Sequence, residues 1–175
     1  MKQNKKKIEI EVKIRALIVD PNSGSPVLVL KDIESEERVP IWVGACEANA
    51  IASAIENIAA PRPMTHDLLK NLINQLDLIV LRVIITELKD NTYYSVIEMI
   101  SSNPPEEKNK PIFYLDARPS DAIALALRCG CPVFVDETIL KNSSNFTNKD
   151  ENPTQEAILS EDWPDLLDDN IDLPM

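Results

Sequence analysis

From Ile8 onward hydrophobic and polar residues alternate: Ile8, Ile10, Val12 and Ile14 share one parity, and Glu9, Glu11, Lys13 and Arg15 the other. A period of two predicts a strand with one buried face. Ala16 to Val19 is apolar throughout, so the end of this strand is expected to be covered on both sides. Pro21-Asn22-Ser23-Gly24 is a turn cluster. Further strands are predicted at Pro26–Leu30 and Arg38–Val43, and the short connections make the three an antiparallel meander.

The period then changes. After Gly44 a helix is predicted from Ala45 to Ile58, with Ile51, Ile55 and Ile58 at helical spacing and Glu47 in its first turn. Pro61-Arg62-Pro63 forces an extended link. Thr65 reads as the N-cap of a second helix, His66–Leu76, whose expected buried face is Leu68, Leu69, Leu72, Ile73 and Leu76. Leu78–Leu88 and Thr92–Ile100 read as a hairpin turning at Asp90-Asn91. Ser101–Lys110 is a charged loop, and Ile112–Asp116 a short strand. A third helix is expected from Pro119, favourable at a first helical position, to Arg128, with Gly130 as its stop. Pro132–Val135 reads as a strand and Glu137–Leu140 as a helical turn. Together these elements predict a single mixed α/β domain over residues 8–141. A basic lead, residues 1–7, precedes it, and an aperiodic acidic segment, residues 142–175, follows and reads as disordered.

Charge sharpens this division. Of the net −11, residues 142–175 carry −8, leaving −3 on the body. The body therefore lacks the broad basic surface of a sequence-tolerant nucleic-acid binder. The apolar share of 44 % is globular. No apolar run approaches membrane-spanning length, and no h-region follows the N-terminal lysines, so a cytoplasmic, non-membrane protein is expected. Cys46, Cys129 and Cys131 then read as reduced thiols; Cys129-Gly130-Cys131 lacks the partners of a four-ligand zinc site.

Four groups of residues could carry chemistry. Glu47, Asp67, Asp116 and Asp121 lie near helix starts or a strand end, where carboxylates can be divalent-cation ligands or ordinary capping groups. His66, within Thr65-His66-Asp67, suits a general base or a buried, hydrogen-bonded ring. Arg118 can hold a phosphate or tie down the strand-to-helix turn. Arg62 is a substrate contact or a solvated loop charge. Ser120 lacks a nucleophile elbow, and the three isolated glycines of the chain exclude a phosphate-cradling loop.

Three blocks together resemble the bifunctional nuclease domain family: Val39-Pro-Ile-Trp-Val-Gly44 with Glu47-Ala-x-Ala-Ile51, then Pro61-Arg-Pro-Met-Thr-His-Asp-Leu-Leu69, then Asp116-Ala-Arg-Pro-Ser-Asp-Ala-Ile-Ala-Leu-Ala-Leu127. The resemblance implies an α+β fold with a bent, largely antiparallel sheet and about three packed helices. It also implies hydrolysis of phosphodiester bonds in DNA and RNA. The roles then expected are Mg²⁺ or Mn²⁺ on Glu47, Asp116 and Asp121; water activation by His66 with Asp67; Arg118 at the reacting phosphate; and substrate contacts from Arg62, Thr65 and Ser120. A homo-oligomer is expected, and the acidic tail could bind a basic partner or its own cleft. The alternative is a non-enzymatic oligomeric regulatory or interaction module, in which Glu47 and Arg118 form a structural ion pair.

Overall fold

A computed structural model describes residues 8–102 and 112–146. The expected charged loop lies largely outside the described residues, as do the basic lead and the acidic segment from residue 147 onward.

The fold is α+β: one open, seven-stranded mixed sheet with helices on it. Strands β1 (Glu9–Val19), β2 (Pro26–Asp32) and β3 (Arg38–Trp42) form the expected meander. Helices α1 (Ala45–Ile55) and α2 (Thr65–Gln75) follow. Then come β4 (Leu78–Lys89), β5 (Thr92–Ser101), β6 (Ile112–Ala117), helix α3 (Pro119–Cys129), β7 (Val133–Asp136) and helix α4 (Glu137–Phe146). The sheet order is β3-β2-β1-β7-β4-β5-β6, and only the β7–β4 neighbours are parallel. The β4–β5 hairpin turns at Asp90 and Asn91, both at positive φ (50° and 57°). That backbone matches the strand twist and is one that Asp and Asn adopt readily.

Helix α3 is apolar nearly all round, with Ala122 to Ala126 entirely buried. Such a helix must be covered on every side. Accordingly it packs on β4 and β5 beneath and on α1 and α2 beside it. Its alanines keep it slim, and Gly130, at φ +66°, ends it in the left-handed conformation that glycine accepts without strain.

Several expectations are corrected. Helix α1 stops at Ile55, because Asn57 turns into the left-handed region (φ 54°). Thr65 is the first helical residue of α2 rather than its cap; Met64 occupies the cap, and its N–H donates to Asp67 Oδ2 at 2.9 Å. The predicted buried face of α2 is only half covered. His66 and Ile73 are buried and Leu69 half-buried, whereas Leu68, Leu72 and Leu76 are 63 %, 53 % and 60 % exposed. The helix leans on α3 and β4 along its His66–Leu69–Ile73 edge, which leaves the adjoining leucine stripe outside. The terminal helical turn is instead the ten-residue helix α4, so the domain boundary expected at 141 falls inside it. Ile139 and Leu140 anchor α4 in the main core. Among the described residues no helix is long and apolar enough to cross a membrane.

Candidate active site at a junction of three helix starts

The first turns of α1, α2 and α3 meet on the helical side of the sheet. A chain of hydrogen bonds marks the meeting point. Arg118, the residue capping α3, donates from Nη2 to Glu47 Oε1 (2.7 Å) and from Nε to Asp121 Oδ2 (2.7 Å). Asp121 Oδ1 lies 3.2 Å from His66 Nε2. Glu47, His66 and Asp121 each sit in the first turn of a different helix, where unpaired N–H groups and the helix dipole favour negative charge.

Covering decreases along this chain toward Arg118. The His66 side chain is 10 % exposed, Asp121 31 % and Arg118 67 %. Glu47 is held below its usual carboxylate pKa, first by a bond to its own backbone N–H and then by Arg118. For Asp121 burial is the largest influence and acts upward; the bonds from Arg118 and His66 together outweigh it and leave the pKa lowered. Both groups are therefore ionised near neutrality. Asp121, as an acceptor-only carboxylate, selects the His66 tautomer with its proton on Nε2, which leaves Nδ1 as the basic nitrogen.

Gly44 makes room for this arrangement. Its φ of −69° suits any residue, but a Cβ there would overlap Glu47 Oε2. The absent side chain is what lets the Glu47 carboxylate fold back over the start of α1.

The remaining expected site residues are distributed differently. Asp67 does not pair with His66. Its Oδ1 accepts from Arg128 Nε at 2.6 Å, and its pKa is lowered first by that bond and then by the Met64 N–H. Arg128 is fixed further by the Ala50 and Ala124 carbonyls at 3.0 and 2.9 Å. Asp116 is exposed on β6, between Leu115 and Ala117 in a strand whose side chains alternate, and takes no part in the hydrogen-bonded chain. Ser120 is buried in the first turn of α3. Arg62 and Thr65 are exposed beside His66 in sequence. Thus the structure joins Glu47, His66, Arg118 and Asp121 and leaves Asp67, Asp116 and Ser120 apart. Among the described residues no group of three or more His, Cys, Asp or Glu side chains is placed to hold a metal. Cys129 and Cys131 pack against the second hydrophobic cluster; burial, with a smaller contribution from Cys129, pushes the Cys131 thiol up to about 11.

Two contributors, Gly44 and Arg128, were not legible as such. Gly44 reads as a break between elements and Arg128 as the end of a helix; the fold-back of Glu47 over the start of α1 gives the first its role, and the packing of α3 on α1 and α2 gives the second its partners.

Chemically, the exposed Arg118 guanidinium is able to exchange a carboxylate partner for another anion in water. The adjoining His66–Asp121 pair can accept a proton from a water molecule.

The chain is similar to known proteins over most of its length. The bifunctional nuclease domain matches residues 28–148. An uncharacterized protein of Mycobacterium tuberculosis is 35 % identical over 130 residues, covering 74 % of this chain and 73 % of that protein. Bifunctional nuclease 1 of Oryza sativa subsp. japonica is 31 % identical over 130 residues, which cover 74 % of this chain and 38 % of the rice protein. The chain belongs to the bifunctional nuclease domain family.

Proposed function

We propose that this protein is a nuclease that hydrolyses phosphodiester bonds in DNA and RNA at the junction of α1, α2 and α3. The observation that supports the reading is the linked set Glu47–Arg118–Asp121–His66, in which a histidine–carboxylate pair adjoins an exposed guanidinium. Non-bridging phosphate oxygens accept from Arg118 and from helix-start N–H groups. The His66–Asp121 pair takes a proton from the attacking water as the P–O ester bond breaks, and the leaving oxygen takes a proton from solvent. These contacts address the phosphate, which DNA and RNA share, and none depends on a 2′-hydroxyl.

A divalent ion is part of the proposal in reduced form. The three-carboxylate set does not fit, because Asp116 stands apart. Glu47 and Asp121 alone suit Mg²⁺ or Mn²⁺, which commonly use one or two protein carboxylates with water and substrate oxygens. When bound, the ion would supply positive charge to the phosphate, and it would compete with Arg118 for the same carboxylate oxygens.

Digestion of single-stranded DNA, duplex DNA and RNA by the full chain, with Mg²⁺, Mn²⁺ or EDTA, tests the reading. Replacing His66 by Ala is expected to lower kcat by about 10²–10⁴. Equal cleavage by wild type and His66→Ala removes the mechanism. Two further expectations join the proposal. The Leu68–Leu72–Leu76 stripe offers an apolar surface for a second copy of the chain, and Leu72→Glu is then expected to yield monomers in sedimentation. The acidic segment from residue 147 is a competitor for the anion site by its charge.

A further inference from the structure

Between the C-terminal halves of α1 and α3 and the first turn of α2 lies an open cleft of about 250 Å³. Its polar lining comes from Ser53, Asn57, Asp67 and Arg128, and its apolar lining includes Ala54 and Leu127. The volume falls just below the range of about 300–1,000 Å³ for drug-sized ligands. It therefore suits one ring system better than a whole cofactor.

The lining has the chemistry of a planar heterocycle. Arg128 is held by Asp67 and the carbonyls of Ala50 and Ala124, so its guanidinium is a fixed, flat wall of a kind on which bases stack. Asp67 Oδ1 accepts from Arg128 and Oδ2 from Met64 N–H, yet a carboxylate has about four lone-pair sites, so acceptor capacity remains on both oxygens. Its lowered pKa keeps it an acceptor. Asn57 adds an amide with both donor and acceptor. An exocyclic amino group satisfies Asp67, whereas a carbonyl oxygen in the same place is repelled.

Spacing links the cleft to the phosphate site. Asp121 and Arg128 are seven residues apart on α3, a rise of about 10 Å. One nucleotide can span that interval. His66 and Asp67, consecutive on α2, contact the two ends of it.

We propose that this cleft holds the nucleobase of the nucleotide whose phosphate sits at the helix junction, and that it favours the amino-bearing bases adenine, cytosine and guanine over uracil and thymine. The phosphate half of this assignment rests on the proposed nuclease site; the base half rests on the cleft alone.

The test is calorimetric titration of the full chain with the 5′-monophosphates of adenosine, cytidine and uridine, with ribose 5-phosphate, and with adenosine. The adenosine and cytidine nucleotides are expected to bind about tenfold tighter than the uridine nucleotide and ribose 5-phosphate, the scale of one base contact. Ala54→Leu fills the cleft and is expected to erase the difference while leaving ribose 5-phosphate binding unchanged. Asn57→Gly, which keeps the left-handed backbone and removes the amide, is expected to weaken the adenosine nucleotide several-fold, and it serves if the leucine variant does not fold. Equal affinity of the wild type for all four phosphates overturns the proposal, as does adenosine nucleotide binding that neither variant alters. Adenosine binding lost in Ala54→Leu, with no phosphate-dependent affinity, upholds the cleft and removes the phosphate reading instead.

Discussion

Two arginines stand at opposite ends of α3 and do opposite things. Arg118, before its first turn, joins two carboxylates from different helices and is 67 % exposed. Arg128, in its last turn, joins one carboxylate and two backbone carbonyls and is 11 % exposed. Both are ion-paired, so ion pairing alone does not separate a group that can exchange its partner from one that is fixed in place. Exposure and the nature of the partners do. An exposed guanidinium between two anions can exchange a partner for a phosphate in water. A covered one that satisfies main-chain carbonyls has no such freedom.

The sharpest way to break this comparison is to truncate each arginine and read two quantities. Arg118→Ala is expected to lower nuclease kcat by about 10²–10³, as for loss of one oriented donor at a developing charge. Its unfolding free energy in urea should fall by only about 0–1 kcal/mol, the range of exposed pairs. Arg128→Ala should reverse the order. It leaves the Asp67 carboxylate without its charged partner and removes a second bond to the helical Ala50 carbonyl, at an expected cost of about 1–3 kcal/mol, discounted for the partial exposure of Asp67. Its kcat on long substrates should change far less. Equal activity losses in both variants would dissolve the distinction.

Gly44 gives a smaller effect that isolates geometry from charge. Gly44→Ala keeps every ionisable group and a permitted backbone, but the new methyl takes the space of Glu47 Oε2. The carboxylate must shift, which disturbs its bond with Arg118. Activity should fall about tenfold, since a displacement of about 1 Å at a positioned group can cost up to 10²-fold. A serine variant should behave alike, and wild-type kinetics in both would show that Glu47 does not position Arg118.

These residues also show what a sequence can disclose. Pro119 and Gly130 mark the two ends of α3 by backbone restriction alone, and the structure agrees with both. The Asp90-Asn91 turn and the alternation of β1 as far as Ile14 are equally local and equally legible; past the register shift between Ile14 and Ala16, Arg15 is buried and Val19 is exposed, against the expectation for that end. Partner choice is not local. Asp67 follows His66 directly, which suggested a pair, yet consecutive helical side chains point about 100° apart and do not face each other. Packing on α3 sends His66 to Asp121 and Asp67 to Arg128. Asp116 stands only five residues before Asp121, but the strand's alternation turns it out of the set. The leucine stripe of α2 failed as a guide for another reason: periodicity predicts an apolar face without saying which part of it a neighbour covers.

The smallest expected effect lies in acid, and it tests the two arginines by a different route. Glu47, Asp67 and Asp121 all have pKa values lowered by folding. A lowered folded-state pKa means that the unfolded chain binds more protons, so stability rises with pH across the titration and is flat above it. Each contribution is complete above the ordinary values of 4.5 for Glu47 and 3.8 for the aspartates, and is lost as pH falls through the folded values below them. Thermal midpoints of the wild type should therefore hold steady from pH 7 to about 5 and decline below about 4.5. The causes of the shifts then separate the variants. For Asp67 the Arg128 bond is the largest cause, so Arg128→Ala should remove most of its share of the acid decline. For Glu47 the largest cause is its own backbone N–H, which Arg118→Ala leaves in place; that variant should relax Asp121 but retain part of the Glu47 share. Midpoints measured between pH 5 and pH 3 would show a steeper residual decline in Arg118→Ala than a Glu47→Gln, Arg118→Ala double variant displays. Identical declines in those two proteins would mean that the fold of Glu47 back onto the start of α1, which Gly44 permits, does not persist without the arginine.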